Sequence, residues 1–252
     1  MFSVERQRRL LAHLRAEGSG NVLELAQTLG VSPSTVRRDL KEMDDRGLVN
    51  RVHGGASVVD NDLEPVLSSR SASHSEEKKR IGKAAAHLIP DSATVLITGG
   101  TTTEAMLPHL AGHEGLTVLT NGLNIAYHLA RYPQVSVVVL GGVLRHEEMS
   151  LLGPIAEHVL AEFQVDIAFS SAFGISPETG LSGANVTEAG TDRRMLAAAH
   201  TLVVLADCSK FARRGPVRLA DVEQIDHLVT DGEAPPDALE QLRTRGVEVT
   251  VC

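Results

Sequence analysis

A run of threonines and glycines, Thr98-Gly99-Gly100-Thr101-Thr102-Thr103, carries groups that suit an anion. The glycines let the backbone approach a ligand, the hydroxyls donate hydrogen bonds, and a helix beginning near Thr103 would present free N–H groups. We therefore predict a phosphate or carboxylate site here. Neither a Walker A loop nor a dinucleotide-binding glycine pattern is present, which disfavours nucleotides. The alternative is a tight turn whose hydroxyls only cap a helix over residues 104–110.

Further polar and glycine residues follow other predicted strands. Arg145 and Lys210 are cations of the kind that bind phosphate, and Asp207 can accept a hydrogen bond from a sugar hydroxyl. Each has a second explanation, because the cations can be surface charges, Asp207 can pair with Lys210, and Asn121 can stabilise its own turn. We expect the ligand site to include Asn121, Gly141, Gly142, Arg145, Gly174, Asp207 and Lys210.

The elements that must position these residues are short β-branched strands, each followed by a turn and a helical pattern. This alternation predicts an α/β domain with a largely parallel sheet covered by helices on both faces. The turns that follow parallel strands lie at one edge of the sheet, so several of them contribute to one pocket. The predicted strands are 93–97, 116–119, 135–140, 165–169, 201–206, 225–229 and 247–251.

A second set of suitable side chains lies on a helix predicted to begin at Pro33, with Ser32 as its cap and Val36, Leu40 and Met43 facing inward. Arginine on the opposite face can bind guanine through two hydrogen bonds, and short hydroxyls can contact bases or phosphates in the major groove. The alternative is an ordinary solvated helix face. The residues predicted to bind DNA from this recognition helix are Ser32, Ser34, Thr35, Arg37, Arg38 and Lys41.

The flanking segments favour DNA binding over a solvated face. A helix is predicted over residues 22–29, Gly30 ends it, and a three-residue turn leads to the recognition helix, which together make a helix-turn-helix. The preceding helix, from Ser3, is expected to end at Gly18 and Gly20. Residues 48–56 alternate apolar and polar side chains and then break at two glycines, which predicts a β-wing with Arg51 and His53 facing the DNA backbone.

The distribution of charge agrees with one DNA-facing module on a larger acidic body. The chain has 252 residues and a net charge of −8, with nine Lys or Arg against seven Asp or Glu in residues 1–56 and fifteen against twenty-five beyond them. Cys208 and Cys252 are too few for a disulfide framework or a zinc site, so no metal is expected. The early charges and strand-sized apolar stretches predict neither a signal peptide nor a membrane helix, hence a cytoplasmic protein.

The motifs of both halves resemble those of one family. Ser32-Pro33-Ser34-Thr35-Val36-Arg37-Arg38-Asp39-Leu40, followed by Arg51-Val52-His53-Gly54-Gly55-Ala56, is similar to the N-terminal signature of the DeoR/GlpR-type repressors of sugar operons. The segments around residues 100–103, 120–122, 140–142, 173–175 and 207–211 resemble the sensor domain of that family, which is itself similar to ribose-5-phosphate isomerase. The family usually has Asp at the position of Thr98, so this chain departs from the usual ligand geometry there.

The resemblance implies a winged helix-turn-helix over residues 1–58, a linker over 59–75 and a phosphosugar-sensing domain over 76–252. We expect a repressor of a carbohydrate operon that a phosphorylated sugar or polyol releases from duplex DNA, without a cofactor. One winged module contacts few phosphates, so a homodimer or homotetramer is expected. The alternatives are an activator or co-repressed regulator, or a phosphosugar isomerase with an accessory DNA domain. The isomerase is disfavoured because no acid–base pair is apparent, and no catalytic residue is predicted.

Overall fold

The computed structural model describes residues 3–17, 19–45, 49–52, 54–58, 70–71 and 73–252. The chain forms two compact units, an N-terminal unit of Met1–Pro65 and a C-terminal unit of Val66–Cys252. Most of the linker predicted over residues 59–75 lies outside the described residues, so its bounds remain a prediction. Within the described residues, no helix is both long and apolar enough to cross a membrane.

Three helices form the body of the N-terminal unit: α1 (Ser3–Glu17), α2 (Val22–Leu29) and α3 (Pro33–Asp45). Asn21 caps α2, because its Oδ1 accepts hydrogen bonds from the N–H groups of Leu23 and Glu24 at 3.0 and 2.9 Å. Gly30 ends α2 in the left-handed conformation with φ +65°, as its position predicted. The apolar faces of the helices meet in a core that includes Leu10, Leu14, Leu25, Val36, Leu40 and Met43.

The wing is a sheet of three strands, β1 (Ser19–Asn21), β2 (Val49–Val52) and β3 (Gly55–Val58), in the order β1-β3-β2. The first helix ends at Glu17, as the glycines that follow it predicted, and Gly20 in addition lies in β1 and pairs with Ala56. Gly55 must be glycine, since a Cβ atom there would lie 2.3 Å from the Gly20 carbonyl oxygen. The close contact between these glycines holds β3 against β1, the strand that directly precedes α2.

The C-terminal unit is built on a seven-stranded sheet in which every recorded pairing is parallel. Its strands, given by residue number, lie in the order 248–251, 227–230, 199–205, 165–171, 94–97, 117–120 and 136–139. All seven strands predicted from the β-branched runs are confirmed, with bounds shifted by a few residues. They are β4 (Thr94–Ile97), β5 (Thr117–Thr120), β6 (Ser136–Val139), β9 (Val165–Ser171), β12 (Ala199–Leu205), β14 (His227–Thr230) and β15 (Glu248–Val251).

Side chains from the two faces of this sheet belong to two separate cores. In β4, Leu96 packs into one core, whereas Val95 and Ile97 pack into the other. This alternation follows from the period of two in a strand, and it means that the sheet is buried on both faces. The helices of the unit are α4 (Ser75–Ala86), α5 (Thr101–Glu104), α6 (Leu123–Leu129), α7 (Pro154–Leu160), α8 (Ala189–Leu196) and α9 (Pro236–Thr244).

Smaller elements flank the main sheet. The hairpin β7 (Val143–Arg145) and β8 (Ser150–Leu152) follows β6, and β10 (Gly174–Ser176), β11 (Gly180–Gly183) and β13 (Val217–Ala220) form a sheet of three strands. Short 3₁₀ helices span Leu107–Gly112, Cys208–Lys210 and Val222–Gln224. The helix expected to begin near Thr103 and run over residues 104–110 was placed wrongly. Helix α5 begins at Thr101, so the threonines lie inside its first turn, and a separate 3₁₀ helix follows.

Candidate functional site

Helix α3 presents a polar face with three exposed cations. Arg37, Arg38 and Lys41 are exposed, while Val36 and Leu40 on the opposite face are buried, as the helical periodicity predicted. Among the described residues, no carboxylate forms an ion pair with these three cations. Their positive charge is therefore available to the phosphates of a duplex, which supply most of the affinity in DNA binding.

The N-terminal turn of α3 is organised by hydroxyl groups. Ser32 Oγ accepts a hydrogen bond from the Thr35 N–H at 3.2 Å and lies 2.8 Å from both Ser34 Oγ and Thr35 Oγ1. Ser32 thus caps the helix, as predicted. Its predicted contact with DNA, like those of Ser34 and Thr35, remains a prediction, and all three side chains lie at the end of the helix that enters a major groove in proteins of this kind.

A buried ion pair that was not predicted from the sequence holds α3 in place. Asp39 is fully buried, and both its carboxylate oxygens accept hydrogen bonds from the Arg6 guanidinium of α1, that from Nη2 at 2.9 Å. Gln7 Nε2 also donates to Glu42 Oε2 at 2.8 Å. These contacts fix the angle of the recognition helix against α1. The arginine beside them in sequence, Arg38, points outward.

Of the two wing residues predicted to face DNA, the structure describes Arg51. Arg51 is exposed on β2, and its backbone N–H donates to Asp44 Oδ1 at 3.3 Å. The adjacent Val52 is 46% exposed, so it does not belong to the core of the unit. His53, the other residue predicted to face DNA, lies outside the described residues.

In the C-terminal unit, the order of the strands indicates where a ligand site is expected. The chain runs from β4 outward through β5 to β6, and then returns to place β9 and the later strands on the other side of β4. In open parallel sheets, ligands bind in the crevice at such a switch point, beyond the carboxyl ends of the strands. Thr98–Thr103 follows β4, and Ser170 and Ser171 end β9, so the predicted loop lies at the switch point.

Close backbone contacts shape this first loop. Gly100 has φ +150°, and a Cβ atom there would lie 2.2 Å from Ser171 Oγ. The hydroxyl of Thr103 donates to the carbonyl groups of Thr98 and Gly100 at 2.9 and 3.0 Å, so it holds the loop together. Thr101 and Thr102 are buried beside it. At least one hydroxyl of the run therefore shapes the turn, and anion binding by this loop remains a prediction.

The second loop, Thr120–Gly122, packs directly on the first. Asn121 Oδ1 accepts a hydrogen bond from the Gly99 N–H at 3.0 Å, and a Cβ atom on Gly122 would lie 2.9 Å from Gly99 Cα. The Asn121 side chain thus braces the neighbouring loop, while the hydroxyl of Thr120 stabilises the turn itself by accepting a hydrogen bond from the Gly122 N–H at 3.0 Å. The Asn121 carbonyl accepts from the Leu151 N–H at 2.8 Å, which brings the β7–β8 hairpin to the same edge.

At two of the predicted glycine positions, a neighbouring backbone lies too close to allow a side chain. A Cβ atom on Gly142, whose φ is +118°, would lie 2.4 Å from the Leu152 carbonyl oxygen, and one on Gly174 would lie 2.2 Å from the Arg213 carbonyl oxygen. Gly141 also has positive φ. Arg145 forms ion pairs with Glu188 and Glu147, so carboxylates already balance the charge expected to bind an anion. Its role in binding effector remains a prediction.

Asp207 is the best-placed carboxylate at this edge of the sheet. It follows β12 and is 1% exposed. Its Oδ1 accepts from the Ser209 N–H at 3.1 Å and from the Ser209 hydroxyl. Burial raises the pKa of the Asp207 carboxyl, but Lys210, Ser209, His74 and Lys78 lower it, and the net direction is downward. Asp207 is therefore an ionised hydrogen-bond acceptor at neutral pH.

Two buried lysines flank this carboxylate. Lys210, which was predicted, is 8% exposed, and Lys78 of α4, which was not, is 5% exposed. Burial lowers the pKa of both ammonium groups to about 8, assisted by the charges of Arg70 and Arg213, while Asp207 opposes the shift. Glu77 also raises the Lys78 pKa slightly. Arg70 forms an ion pair with Glu148, a buried residue of the β7–β8 turn.

Buried oxygen atoms at this edge that have no hydrogen-bond partner among the described residues include Asp207 Oδ2, Ser150 Oγ and, at the end of β14, Thr230 Oγ1. Ser150 Cβ lies within 3.7 Å of the position that a Cβ atom on Gly99 would occupy, so Ser150 borders the first loop. A buried polar atom without a partner costs free energy, and a ligand that supplies the missing hydrogen bond recovers it. The site thus combines cations with acceptors for hydroxyl groups.

Comparison with known proteins identifies both units. Residues 6–62 match the DeoR-like helix-turn-helix domain, and residues 73–232 match the DeoR C terminal sensor domain. The chain belongs to the DeoR family. The HTH-type transcriptional repressor CsqR of Escherichia coli (strain K12) is 36% identical over 97% of this chain and 94% of its own length. The glycerol-3-phosphate regulon repressor of the same strain is 28% identical over 100% of both chains.

Solved structures similar to this DeoR-family chain share less with it. Ribose 5-phosphate isomerase A from Neisseria gonorrhoeae is 18% identical, covering 53% of this chain and 52% of its own, with a TM-score of 0.40. The probable sor operon regulator from Shigella flexneri is 13% identical, covering 72% of this chain and 92% of its own, with a TM-score of 0.42. Scores of this size carry no functional argument.

Two further polar groups of this DeoR-family sensor unit, Cys208 and Asp231, lie beside the candidate site. Burial and the carboxylates Asp231, Asp207 and Glu233 raise the pKa of the Cys208 thiol to about 12, so it stays protonated at neutral pH. Asp231 is used by the fold, since its two oxygens accept the N–H groups of Cys208 and Glu233 at 2.7 and 2.8 Å. The described residues contain no cluster of His, Cys, Asp and Glu that could hold a metal ion.

Arg70, Lys78 and Glu148 were missed because the sequence pattern around them is typical of solvated residues. Lys78 lies in the charged run Glu76-Glu77-Lys78-Lys79-Arg80, and Arg70 lies in a serine-rich stretch. The residue type that could have indicated this burial is the glycine on the same helix, Gly82. A Cβ atom there would lie 2.5 Å from the Ala105 backbone, so α4 packs closely behind α5 and carries Lys78 into the site.

Proposed function

We propose that this chain is a DNA-binding repressor of a carbohydrate operon and that a phosphorylated sugar or polyol releases it from DNA. The observation that carries the proposal is the buried set of Lys78, Lys210 and Asp207, of which Asp207 and Lys210 follow the carboxyl end of β12. The lysines suit a phosphate, which carries a charge of about −1.5 to −2 at neutral pH, and Asp207 Oδ2 suits a hydroxyl group. A ligand with both groups matches the site.

The names of the relatives support this choice of ligand and of regulation. Those relatives are named repressors, and one of them is named for the glycerol-3-phosphate regulon. Glycerol 3-phosphate is itself a phosphorylated polyol. An uncharged sugar would leave the two lysines without an anion, and an organic phosphate without hydroxyl groups would leave Asp207 Oδ2 without a donor.

We propose further that the sensor unit binds its ligand without turning it over and that two or four copies of the chain act together on DNA. Acid–base chemistry needs a carboxylate free to accept and return a proton. Asp207 is held ionised by its neighbours, and Asp231 is engaged with backbone N–H groups. Binding by several copies is supported by the small basic surface of α3, which contacts too few phosphates alone.

A thermal-shift screen tests the ligand assignment. A compound that binds only the folded state stabilises it by RT ln(1 + [L]/Kd). We expect glycerol 3-phosphate, pentose phosphates or hexose phosphates to raise the melting temperature of the full chain, and the dephosphorylated compounds to have no effect. If no phosphorylated compound acts, the proposed effector class is wrong. If one is converted into product, the chain is an enzyme.

A gel-shift titration tests the regulatory assignment. We expect the full chain to bind DNA from upstream of its own gene, with affinity falling steeply as salt rises. The active compound from the screen should then release the complex. A compound that strengthens the complex instead would make the chain a co-repressed regulator, and failure to bind any upstream DNA would contradict a role in transcription.

A further inference from the structure

The end of the linker is attached to the ligand site through a lysine that also belongs to that site. Lys78 Nζ donates to the carbonyl groups of Arg70 and Ser73 at 2.5 and 2.7 Å. Helical side chains lean toward the N-terminus, so a lysine in the first turn of α4 reaches back over the residues that lead into the helix. An ammonium group has three hydrogen-bond donors, and two of those of Lys78 are engaged here.

Arg70 ties the same segment to the turn between β7 and β8. Its guanidinium forms an ion pair with Glu148, and the side chains of the two residues are 11% and 9% exposed. Glu148 lies in the turn between β7 and β8, next to Ser150. The residues just before α4 are thus held at two points, by Lys78 on one side and by Glu148 on the other.

The electrostatics of this arrangement favour an added anion. Within the described residues, Lys78 and Lys210 both lie near one buried carboxylate, Asp207, and the positive charges of Arg70 and Arg213 act on both lysines. Like charges close together in a partly desolvated site repel one another. Lys78 also lies in the first turn of α4, where the helix dipole disfavours a cation. An anion bound between the lysines relieves both costs.

We infer that Lys78 is an effector-binding residue and that an anionic effector, by neutralising Lys78 and Lys210, fixes residues 70–74 against the sensor domain. This inference rests on the proposed function and specifies how the site acts on the linker. The phosphate of the effector takes the third donor of Lys78, while a hydroxyl group donates to Asp207 Oδ2. Effector binding then sets the point from which the chain continues toward the DNA-binding unit.

Hydrogen–deuterium exchange on the full chain tests this inference, with inorganic phosphate and glycerol 3-phosphate as parallel probes. Exchange reports local opening, and an anchored segment opens less often. We expect either probe that raises the melting temperature also to slow exchange in the peptides covering residues 70–78. The Lys78→Met variant should lose this protection and bind the probe about tenfold or more weakly, because a charged hydrogen bond is lost.

Two further variants keep the test decisive. Lys83→Met is the matched control, because Lys83 lies on the exposed side of the same helix and should bind and respond like the wild type. Arg70→Gln should keep much of the affinity but lose the protection of residues 70–74, so the test stands even if Lys78→Met misfolds. A probe that stabilises the wild type without slowing exchange at residues 70–78 would overturn the inference and leave the proposed function intact. Stabilisation by neither probe, nor by any compound of the screen, would overturn both.

Discussion

The two units of the chain carry the cations proposed to bind DNA and effector in opposite environments. Arg37, Arg38 and Lys41 are exposed on α3, whereas Lys78 and Lys210 are buried at the end of the parallel sheet. Exposed cations act on a polymer whose phosphates release counterions, so their effect depends on salt. Buried cations with lowered pKa values act on one small anion, so their effect depends on pH. The difference separates the surface proposed to bind DNA from the site proposed to bind a small ligand.

The largest effect is expected at Asp39 of the N-terminal unit, because this charged side chain is buried whereas the cations of α3 are exposed. Asp39→Ala leaves the Arg6 guanidinium buried without its carboxylate, which is a costly defect. We expect the melting transition of the N-terminal unit to fall by more than about 10 °C, since small domains lose several degrees per kcal/mol. Circular dichroism on residues 1–65 measures this, with Glu24→Gln on the exposed side of α2 as the control. An unchanged transition would mean that the ion pair does not hold α3.

Within the exposed set, the two adjacent arginines should differ. Arg38→Ala should cost roughly 1–3 kcal/mol on the operator and much less on unrelated DNA, because one base contact is lost. Arg37→Ala should weaken binding to all sequences and lower the salt slope by about one. Fluorescence anisotropy on specific and unrelated duplexes at several salt concentrations separates the two outcomes. Equal losses on both duplexes for Arg38→Ala would refute the division.

For the buried set, pH should act in opposite directions on binding and on stability. Both lysines have a pKa of about 8 in the folded chain, below the ordinary value of 10.5. Above pH 8 they lose the charge that attracts phosphate, so effector affinity should fall about tenfold or more by pH 9. In the same window the unfolded chain holds more protons, so the stability of the ligand-free protein should rise from pH 8 toward 10.5.

Calorimetric titration and thermal denaturation between pH 7 and 9.5 provide the two measurements. Phosphate esters are already dianionic above pH 7, so the ligand itself contributes little to the change. The Lys210→Met variant, which removes one of the two titrating groups, should show a shallower dependence. A binding constant that stays flat across this range would show that the lysines do not contact the anion.

The sequence predicted those parts of both units that depend on local pattern. The β-branched runs gave all seven strands of the parallel sheet, and Gly30 marked the end of α2 correctly. By contrast, β1 was missed because Ser19-Gly20-Asn21 has no β-branched residue. Its strand conformation depends on pairing with β3, which lies far away in sequence.

In the candidate ligand site, too, residues marked by their neighbours in sequence were predicted, whereas contacts between distant segments were not. Asp207 and Lys210 were found because they directly follow a predicted strand. Lys78 was not predicted because its neighbours in sequence are charged and exposed. Only the packing of α4 behind α5 buries it. The sequence also could not reveal that Asn121 braces the first loop or that Glu188 neutralises Arg145, since these partners come from other parts of the chain.

One measurement tests most directly the claim that a buried cationic site controls an exposed one. Fluorescence anisotropy with upstream DNA should show equal binding by the wild type and Lys210→Met when no ligand is present, because Lys210 does not belong to the DNA surface. Glycerol 3-phosphate, or the active compound of the screen, should then release the wild type and leave Lys210→Met bound. Equal release of both proteins would contradict the account.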